Sequence, residues 1–268
     1  MSSVGLIGAG AIGSAVIEAF TSGAVPGHAL RSVLARSHQL VDLRRRVGTD
    51  VLVTDDQLKF FSSKADIVVE AAGHGAAIEL GERVLEAGSR LYLLSVGILA
   101  DPLVRNTLTQ AARRNSSPIV IPSGAFAGFD GLRSLRQSGL TAVTYTSIKH
   151  PRAWDGTGGQ DASGSAREAL SVFFDGNASD AARQFPKNAN LAAAVAIAGI
   201  GFERTRVRLI SDPSAQHNEG RIEARSETAV LNLVLRGAAF EDNPKSSRIT
   251  SDSVIAAILN SSDCLPFY

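Results

Sequence analysis

A glycine-rich turn close to the start of the chain restricts the fold more than any other part of the sequence. Its residues, Gly8-Ala9-Gly10-Ala11-Ile12-Gly13, have the spacing GxGxxG. The apolar run Val4–Ile7 precedes them, and the segment Ala11–Phe20 carries apolar side chains at helical spacing. A strand, a turn of this kind and a helix are the opening unit of a dinucleotide-binding fold.

Each residue of this turn has a physical reason to lie near a cofactor. Gly8 permits the tight turn, Gly10 lets the backbone approach a pyrophosphate, and Gly13 lets the helix pack closely on the strand. Ala11 and Ile12 open the helix, whose N-terminus offers free N–H groups and a partial positive charge to phosphates. We predict that these residues form the phosphate-binding part of a cofactor site.

The rest of the first half alternates short apolar runs with amphipathic segments. The predicted strands are Arg31–Ala35, Val51–Val53, Ile67–Ala71, Leu91–Ser95 and Ile119–Ile121. The predicted helices are His38–Val47, Ala76–Ala87 and Pro102–Arg114. This alternation is typical of βαβ units, so we expect a doubly wound parallel sheet, a Rossmann domain, over residues 1–123.

The second half has a different pattern, which predicts an α+β domain over residues 124–249 with a mostly antiparallel open sheet. Its predicted strands are Leu140–Ile148, Arg204–Ile210, Arg221–Ala224 and Ala229–Leu235, and its predicted helix is Asn188–Ala198. The polar segment Asp155–Ser165 is rich in glycine and serine, which predicts a loop. Ser253–Leu259 is predicted to be helical.

The end of the second strand indicates which nicotinamide cofactor is preferred. An NAD site carries Asp or Glu there, about 20 residues after the glycine motif, to accept a hydrogen bond from the ribose 2′-hydroxyl. Here the strand is followed by Arg36 and Ser37, which suit the 2′-phosphate of NADP. We therefore predict NADP, and the alternative is a solvated Arg36 and a site that also accepts NAD.

Two further strand ends carry small residues where ligands of such sheets bind. They read Ala71-Ala72-Gly73-His74 and Ser95-Val96-Gly97. Small side chains let the backbone approach the nicotinamide half of the cofactor. His74 either contacts the ribose or the amide, or caps the next helix.

Composition excludes several classes of partner. Lys and Arg total 27 and Asp and Glu total 26, a net charge of +1 that favours neither nucleic acid nor an anionic membrane. Cys264 is the single cysteine, so no internal disulfide is expected, and no metal site is predicted. With no signal-peptide pattern and no apolar stretch of membrane-spanning length, we expect a cytoplasmic protein that acts on a small molecule.

With these residues placed, the chain resembles the L-aspartate dehydrogenase family over nearly its whole length. The motifs that carry the resemblance, besides the glycine turn, are Ala71–His74, Ser95–Gly97, Ile121–Ala125, Lys149–Trp154, Pro186–Asn190, Asp212-Pro213 and Asn243–Lys245. The resemblance implies a homo-oligomer, dimer or tetramer, formed through the open sheet, and a C-terminal helix over residues 250–268 that returns to the first domain. It also implies hydride transfer between nicotinamide and the Cα of a small carboxylated amine, through an imine that water hydrolyses to a keto acid and ammonia.

The same motifs supply candidate substrate residues, which are Lys149, Arg152, Asn188, Asn190, Ser123 and Ala125. Lys187 is a candidate anchor or base, although an ammonium acts as a base only when burial or another cation lowers its pKa. Residues 187–190 are expected at a helix N-terminus, where carboxylates bind readily. The alternative for Asn188 is that it only caps the helix.

One departure from the family concerns the acid/base. After Asp-Pro the family has Asn, a variable residue and then a catalytic His, which aligns Asn218 with the Asn and Gly220 with the His. His217 substitutes only if the loop is rebuilt, because an odd offset in a strand points to the opposite face, and Glu219 has the same wrong parity. The alternative function is therefore a non-catalytic nucleotide-binding homologue that senses a cofactor or ligand.

Overall fold

The computed structural model of the chain describes residues 1–154, 169–186, 188–240 and 243–266. The predicted loop Asp155–Ser165 and the candidate Lys187 lie outside the described residues. The chain divides into two compact units. Unit 1 comprises Met1–Ile98, Pro102–Pro122 and Ser251–Tyr268, and unit 2 comprises Leu99–Asp101 and Ser123–Thr250.

Unit 1 contains a six-stranded sheet in which every neighbouring pair is parallel. Its strands are β1 (Ser2–Ile7), β2 (His28–Leu34), β3 (Leu52–Thr54), β4 (Ile67–Glu70), β5 (Arg90–Leu93) and β6 (Ile119–Val120). The spatial order β3-β2-β1-β4-β5-β6 is that of a doubly wound dinucleotide-binding sheet, which confirms the predicted fold class.

Helices connect these strands. They are α1 (Ala11–Thr21), α2 (Leu40–Val47), α3 (Gln57–Ser62), α4 (His74–Glu86) and α5 (Pro102–Arg114). The short α3 was not predicted, and it is started by the Asp56 side chain, which accepts hydrogen bonds from the backbone N–H groups of Leu58 and Lys59. The helix predicted from His38 instead begins with a 3-10 turn at Ser37–Gln39.

Unit 2 contains a five-stranded mixed sheet of spatial order β11-β10-β7-β9-β8. Its strands are β7 (Leu140–Lys149), β8 (Ser171–Asn177), β9 (Thr205–Ser211), β10 (Asn218–Ser226) and β11 (Val230–Gly237). Only β7 and β9 pair in parallel, so the prediction of a mostly antiparallel sheet is confirmed. A separate two-stranded ribbon pairs β12 (Ala239–Phe240) with β13 (Asn243–Ser247).

Among the described residues of unit 2, three α-helices accompany this sheet: α6 (Phe129–Gln137), α7 (Ala178–Gln184) and α8 (Asn190–Ala198). These helices pack against one face of the sheet and bury the alternate strand residues that point to that face. The resulting core includes Leu132 and Ala192 from the helices and Val143, Tyr145 and Val207 from the strands. The short elements β8, α6 and α7 were not predicted, because each buries too few large apolar side chains to produce a clear periodicity in the sequence.

The last helix, α9 (Ile249–Asn260), contributes to the core of unit 1. Val254 and Ile258 are fully buried there, and the Tyr92 hydroxyl donates to the carbonyl oxygen of Ala257 at 3.4 Å. Among the described residues, no helix has the length and hydropathy that are needed to cross a membrane.

Candidate cofactor and substrate sites

A pocket of about 690 Å³ lies at the carboxyl ends of β1, β2, β3 and β4 within unit 1. The predicted cofactor residues that line it are Gly8, Gly10, Arg36, Ser37, Ala71, Ala72, Gly73 and His74. Six other candidates are not among its lining residues: Ala11, Ile12, Gly13, Ser95, Val96 and Gly97. The pocket therefore brings together residues from three strand ends that the sequence analysis considered separately.

The glycine turn leaves room for a ligand at one position only. At Gly8, where φ is +97°, an added Cβ would lie 2.7 Å from the Cα of Ala72, and at Gly13 it would collide with the carbonyl oxygen of Gly8. At Gly10 an added Cβ would meet no atom within 4 Å. Gly8 and Gly13 thus serve backbone packing, whereas Gly10 borders open space that fits a pyrophosphate beside the first turn of α1.

A buried carboxylate, Glu70, organises the opposite wall of the pocket. One of its oxygens accepts hydrogen bonds from the N–H groups of Ala72 at 2.9 Å and Gly73 at 2.8 Å. The other accepts from the N–H of Ser95 at 3.0 Å. Glu70 is only 1% exposed, and it ties together the two loops of small residues. An acid at the end of an otherwise apolar strand was the sequence signal for this role.

His74 lines the pocket as the first residue of α4. The helix is preceded by Gly73 at the N-cap position, with φ of +108° and no side-chain capping bond. Gly73, and not His74, therefore occupies the N-cap position of this helix.

The polar end of the pocket contains Arg36, Ser37 and a residue that the sequence analysis missed, Asp55. The Ser37 hydroxyl donates to an Asp55 carboxylate oxygen at 2.6 Å, and this hydrogen bond lowers the pKa of Asp55. The exposed Arg36 forms no ion pair with any described residue. Asp55 directly follows β3, so the rule that ligands bind at strand ends was the signal that would have found it.

In unit 2 the structure brings together two predicted substrate residues, Lys149 and Asn188. The Lys149 ammonium donates to the Asn188 side-chain oxygen at 3.4 Å and lies 5.0 Å from the centre of the Trp154 ring. Burial lowers the pKa of Lys149 to about 8. The N-cap of α8 is Ala189, so the alternative in which Asn188 only caps this helix is wrong.

Two buried polar atoms beside Lys149 have no hydrogen-bond partner among the described residues: the Asn188 side-chain nitrogen and the Ser211 hydroxyl. Asn188 is 8% exposed and Ser211 is 1% exposed. Ser211 pairs with Lys149 between the parallel strands β9 and β7, so both side chains point to the same face of the sheet. We call Lys149, Asn188 and Ser211 the donor cluster. Sequence reasoning missed Ser211, the last residue of β9.

The remaining substrate and acid/base candidates lie elsewhere in unit 2. Arg152 and His217 are exposed and line a smaller pocket of about 230 Å³ together with His150. Asn190 is the first residue of α8, and Ser123 and Ala125 are partly buried in the turn before Phe126. These residues are not members of the donor cluster.

Gly220 lies inside β10, opposite Ser147 of β7 and Leu235 of β11. An added Cβ at this glycine would lie 2.5 Å from Cε2 of Phe126. The aromatic ring thus occupies the place where any side chain of residue 220 would begin.

The neighbouring Glu219 is engaged in ion pairs with Arg221 and Arg236. Burial alone would raise its pKa, but hydrogen bonds from these two arginines hold the pKa of Glu219 below its ordinary value. A carboxylate that is held in its charged form in this way is a weak proton acceptor at neutral pH.

Comparison with known proteins identifies the family of this chain. The family model "Aspartate dehydrogenase, C-terminal" matches residues 130–261, and the model "Homoserine dehydrogenase, NAD binding domain" matches residues 8–122. The chain is 38% identical to an L-aspartate dehydrogenase of Ralstonia nicotianae, with 96% of each chain covered. It is 34% identical to an L-aspartate dehydrogenase of Acinetobacter baumannii, over 88% of this chain and 90% of that protein.

The chain belongs to the L-aspartate dehydrogenase family. The crystal structure of aspartate dehydrogenase from Thermotoga maritima has the same fold, with a TM-score of 0.76, 22% sequence identity and full coverage of both chains. A homoserine dehydrogenase from Thiobacillus denitrificans is more distant, with a TM-score of 0.60 and 14% identity over 97% of this chain and 72% of that one. This family member is an NAD(P)-dependent oxidoreductase.

The described parts of this family member contain no group of three or more His, Cys, Asp or Glu side chains that could hold a metal ion. The pocket of unit 1 instead offers what a dinucleotide needs, which is open space at Gly10, a helix N-terminus and an arginine at its polar end.

The first prediction concerns Gly10. We expect Gly10→Val to weaken the binding of NADPH and NADH by at least about 100-fold, because the branched side chain occupies the space that the phosphates need. The fold should survive, since no atom lies within 4 Å of the new Cβ. Fluorescence titration measures the affinity and thermal unfolding measures the fold. Affinity like that of the wild type would show that the pyrophosphate does not pass Gly10.

The second prediction concerns the contact between Gly220 and Phe126. Gly220→His adds a side chain where the Phe126 ring already lies, so we expect a loss of about 1–3 kcal/mol in the free energy of unfolding and no gain in aspartate oxidation. Combination with Phe126→Ala should show a favourable coupling of at least about 1 kcal/mol in a double-mutant cycle. The control Gly131→Ala, whose added Cβ would meet only ordinary contacts at 3.8 Å, should not destabilise the protein. Additive effects in the cycle would contradict the steric account.

Proposed function

We propose that this protein catalyses hydride transfer between NADP(H), or less favourably NAD(H), and the Cα of a small carboxylated amine, with L-aspartate as the first candidate. Family membership supports the reaction class. The donor cluster is the observation from which we infer that the substrate carries a carboxylate. In this cluster the Lys149 ammonium lies beside two buried donors that have no hydrogen-bond acceptor among the described residues.

A substrate carboxylate satisfies this cluster physically. A buried donor without an acceptor costs about 1–3 kcal/mol, so the Asn188 nitrogen and the Ser211 hydroxyl leave free energy to be recovered when a ligand binds. A carboxylate accepts several hydrogen bonds and offsets the charge of Lys149. Positively charged Lys149 is then the anchor, and Asn188 orients it through their 3.4 Å hydrogen bond.

A nicotinamide cofactor held by the pocket of unit 1 would supply the acceptor for a hydride from Cα, or the hydride donor in the reverse direction. The protein's part is to orient the substrate and to move protons. Lys149 has a pKa of about 8, so it carries a proton at neutral pH and releases it at moderately alkaline pH. His217 and Lys187 remain predictions for the catalytic acid/base. The exposed His217 imidazole is accessible to a ligand in the pocket that it shares with His150 and Arg152.

The preference for NADP rests on Arg36. Its guanidinium is exposed at the polar end of the cofactor pocket and has no ion pair with any described residue. A guanidinium binds a phosphate with two parallel hydrogen bonds and gains little from a neutral ribose.

Self-association through the open face of the unit 2 sheet also belongs to this proposal. Strand β11 alternates exposed and partly buried residues, and the exposed set includes Val230 at 59% and Val234 at 55%. Apolar side chains on the outer face of a sheet are typical of a surface that another copy covers.

The third prediction tests the substrate class. NADPH oxidation with ammonia and a panel of keto acids should be fastest with a dicarboxylic keto acid such as oxaloacetate. Because the cation of Lys149 is lost above about pH 8, the KM for the dicarboxylate should rise by about tenfold per pH unit above that value. Lys149→Arg, which stays charged, should remove this rise, and Lys149→Met should give a high KM at every pH.

Two further variants serve as controls for this experiment. Lys59→Met removes an exposed lysine from unit 1, and His217→Ala removes the imidazole that is a candidate for the acid/base. Both should keep the alkaline rise in KM. A wild-type KM that stays level from pH 7 to 9.5, or an unaltered rise in Lys149→Arg, would contradict the role of Lys149.

The fourth prediction concerns Arg36. We expect Arg36→Ala to weaken NADPH binding by about 1.5–3 kcal/mol, the worth of a hydrogen bond to a charged group, and to leave NADH binding nearly unchanged. Titration calorimetry with both cofactors measures the difference. Equal losses for the two cofactors would rule out a contact between Arg36 and the 2′-phosphate.

A further inference from the structure

We propose that Asp55 determines cofactor specificity in opposition to Arg36: its carboxylate disfavours the 2′-phosphate of NADP and accepts the 2′-hydroxyl of NAD. This inference rests on the proposed cofactor pocket and adds a residue to it. It implies that the preference for NADP is narrow and that the protein also uses NAD.

Strand pairing sets the position of Asp55. Strand β3 pairs with β2 so that Thr54 lies opposite Leu34, and the N–H of Ala35 donates to the Thr54 carbonyl oxygen at 3.0 Å. Asp55 therefore emerges beside Ala35 and Arg36, at the end of the sheet where an NAD site carries its acid. Here that acid comes from the neighbouring strand.

The hydrogen bond from Ser37 to Asp55 also bears on the choice of cofactor. Its hydroxyl has one proton, and that proton is donated to Asp55 at 2.6 Å. To donate to a 2′-phosphate, the Ser37 hydroxyl must give up its hydrogen bond to Asp55. The negatively charged phosphate must also approach the negatively charged Asp55 carboxylate. A ribose 2′-hydroxyl meets no such conflict, because it is itself a donor to the carboxylate.

The surroundings of Asp55 favour the charged form of its carboxylate. The hydrogen bond from Ser37 has the largest effect, and a backbone hydrogen bond and the nearby cations Arg44 and Lys59 act in the same direction. Together they lower the pKa of Asp55, so the carboxylate is charged at neutral pH. Because the group is exposed, water and salt screen its repulsion, and we expect an effect of about five- to tenfold on affinity.

The experiment compares the wild type with Asp55→Asn, which removes the charge and keeps the size of the side chain. NADPH and NADH affinities are measured by fluorescence titration at low ionic strength. Adenosine 2′,5′-bisphosphate and adenosine 5′-monophosphate are titrated by calorimetry, since they differ only in the 2′-phosphate. We expect Asp55→Asn to bind NADPH and the bisphosphate about five- to tenfold more tightly, with NADH and the monophosphate unchanged or slightly weaker.

The matched control is Asp50→Asn, which removes a negative charge from unit 1 at a residue that does not line the pocket. It should change no ratio of affinities by more than about twofold, the range expected for screened, distant charges. Ser37→Ala should lower NADPH affinity by less than Arg36→Ala does, because the Ser37 proton is already donated to Asp55.

The outcomes separate this inference from the proposed function. Unchanged or weaker NADPH binding in Asp55→Asn, with normal thermal unfolding, would overturn the inference alone. An equal gain in Asp50→Asn would also overturn it, because the effect would then be one of overall charge. If the wild type bound neither dinucleotide, the proposed cofactor use would fail first.

Discussion

Close packing of backbone against backbone at the end of β1 is the constraint on which the candidate cofactor pocket of unit 1 depends. The left-handed conformation of Gly8 brings the chain against Ala72, and Gly13 lies so close to the Gly8 carbonyl that no side chain fits between them. The turn is therefore tight enough for α1 to begin directly above the sheet. This arrangement leaves the open space at Gly10 that a pyrophosphate can occupy.

Glu70 allows close packing of the loops that follow the next two strands, β4 and β5. A buried polar group is costly unless it is hydrogen-bonded, and here three backbone N–H groups donate to the Glu70 side chain. The loops after β4 and β5 are held by one side chain, so neither needs a bulky residue of its own. The small residues of these loops then leave room for a ligand at the carboxyl ends of the strands.

Two polar sites in unit 2 differ in whether their hydrogen-bonding groups have partners. In the donor cluster the Asn188 side-chain nitrogen and the Ser211 hydroxyl have no hydrogen-bond partner among the described residues. Glu219, in contrast, forms ion pairs with two arginines. Unsatisfied donors favour binding of an anion, and a satisfied carboxylate favours rigidity. The Phe126 ring that rests on Gly220 adds a steric condition, because a side chain at this strand position requires the ring to move.

The sequence by itself determined the fold class and the glycine turn, because strand and helix periodicity and the spacing of Gly8, Gly10 and Gly13 are local properties. It also determined the family, through motifs spread along the whole chain. It did not predict α3, α6, α7 or β8, since each buries too few large apolar side chains to leave a periodic signal.

Only the tertiary structure decided which distant residues meet. The pairing of β3 with β2 brings Asp55 to Ser37, and the pairing of β9 with β7 brings Ser211 beside Lys149. The ring of Phe126 reaches Gly220 from a turn far away in the chain. Such contacts depend on strand order and register, which are set by the packing of the whole sheet and leave no mark in the local sequence.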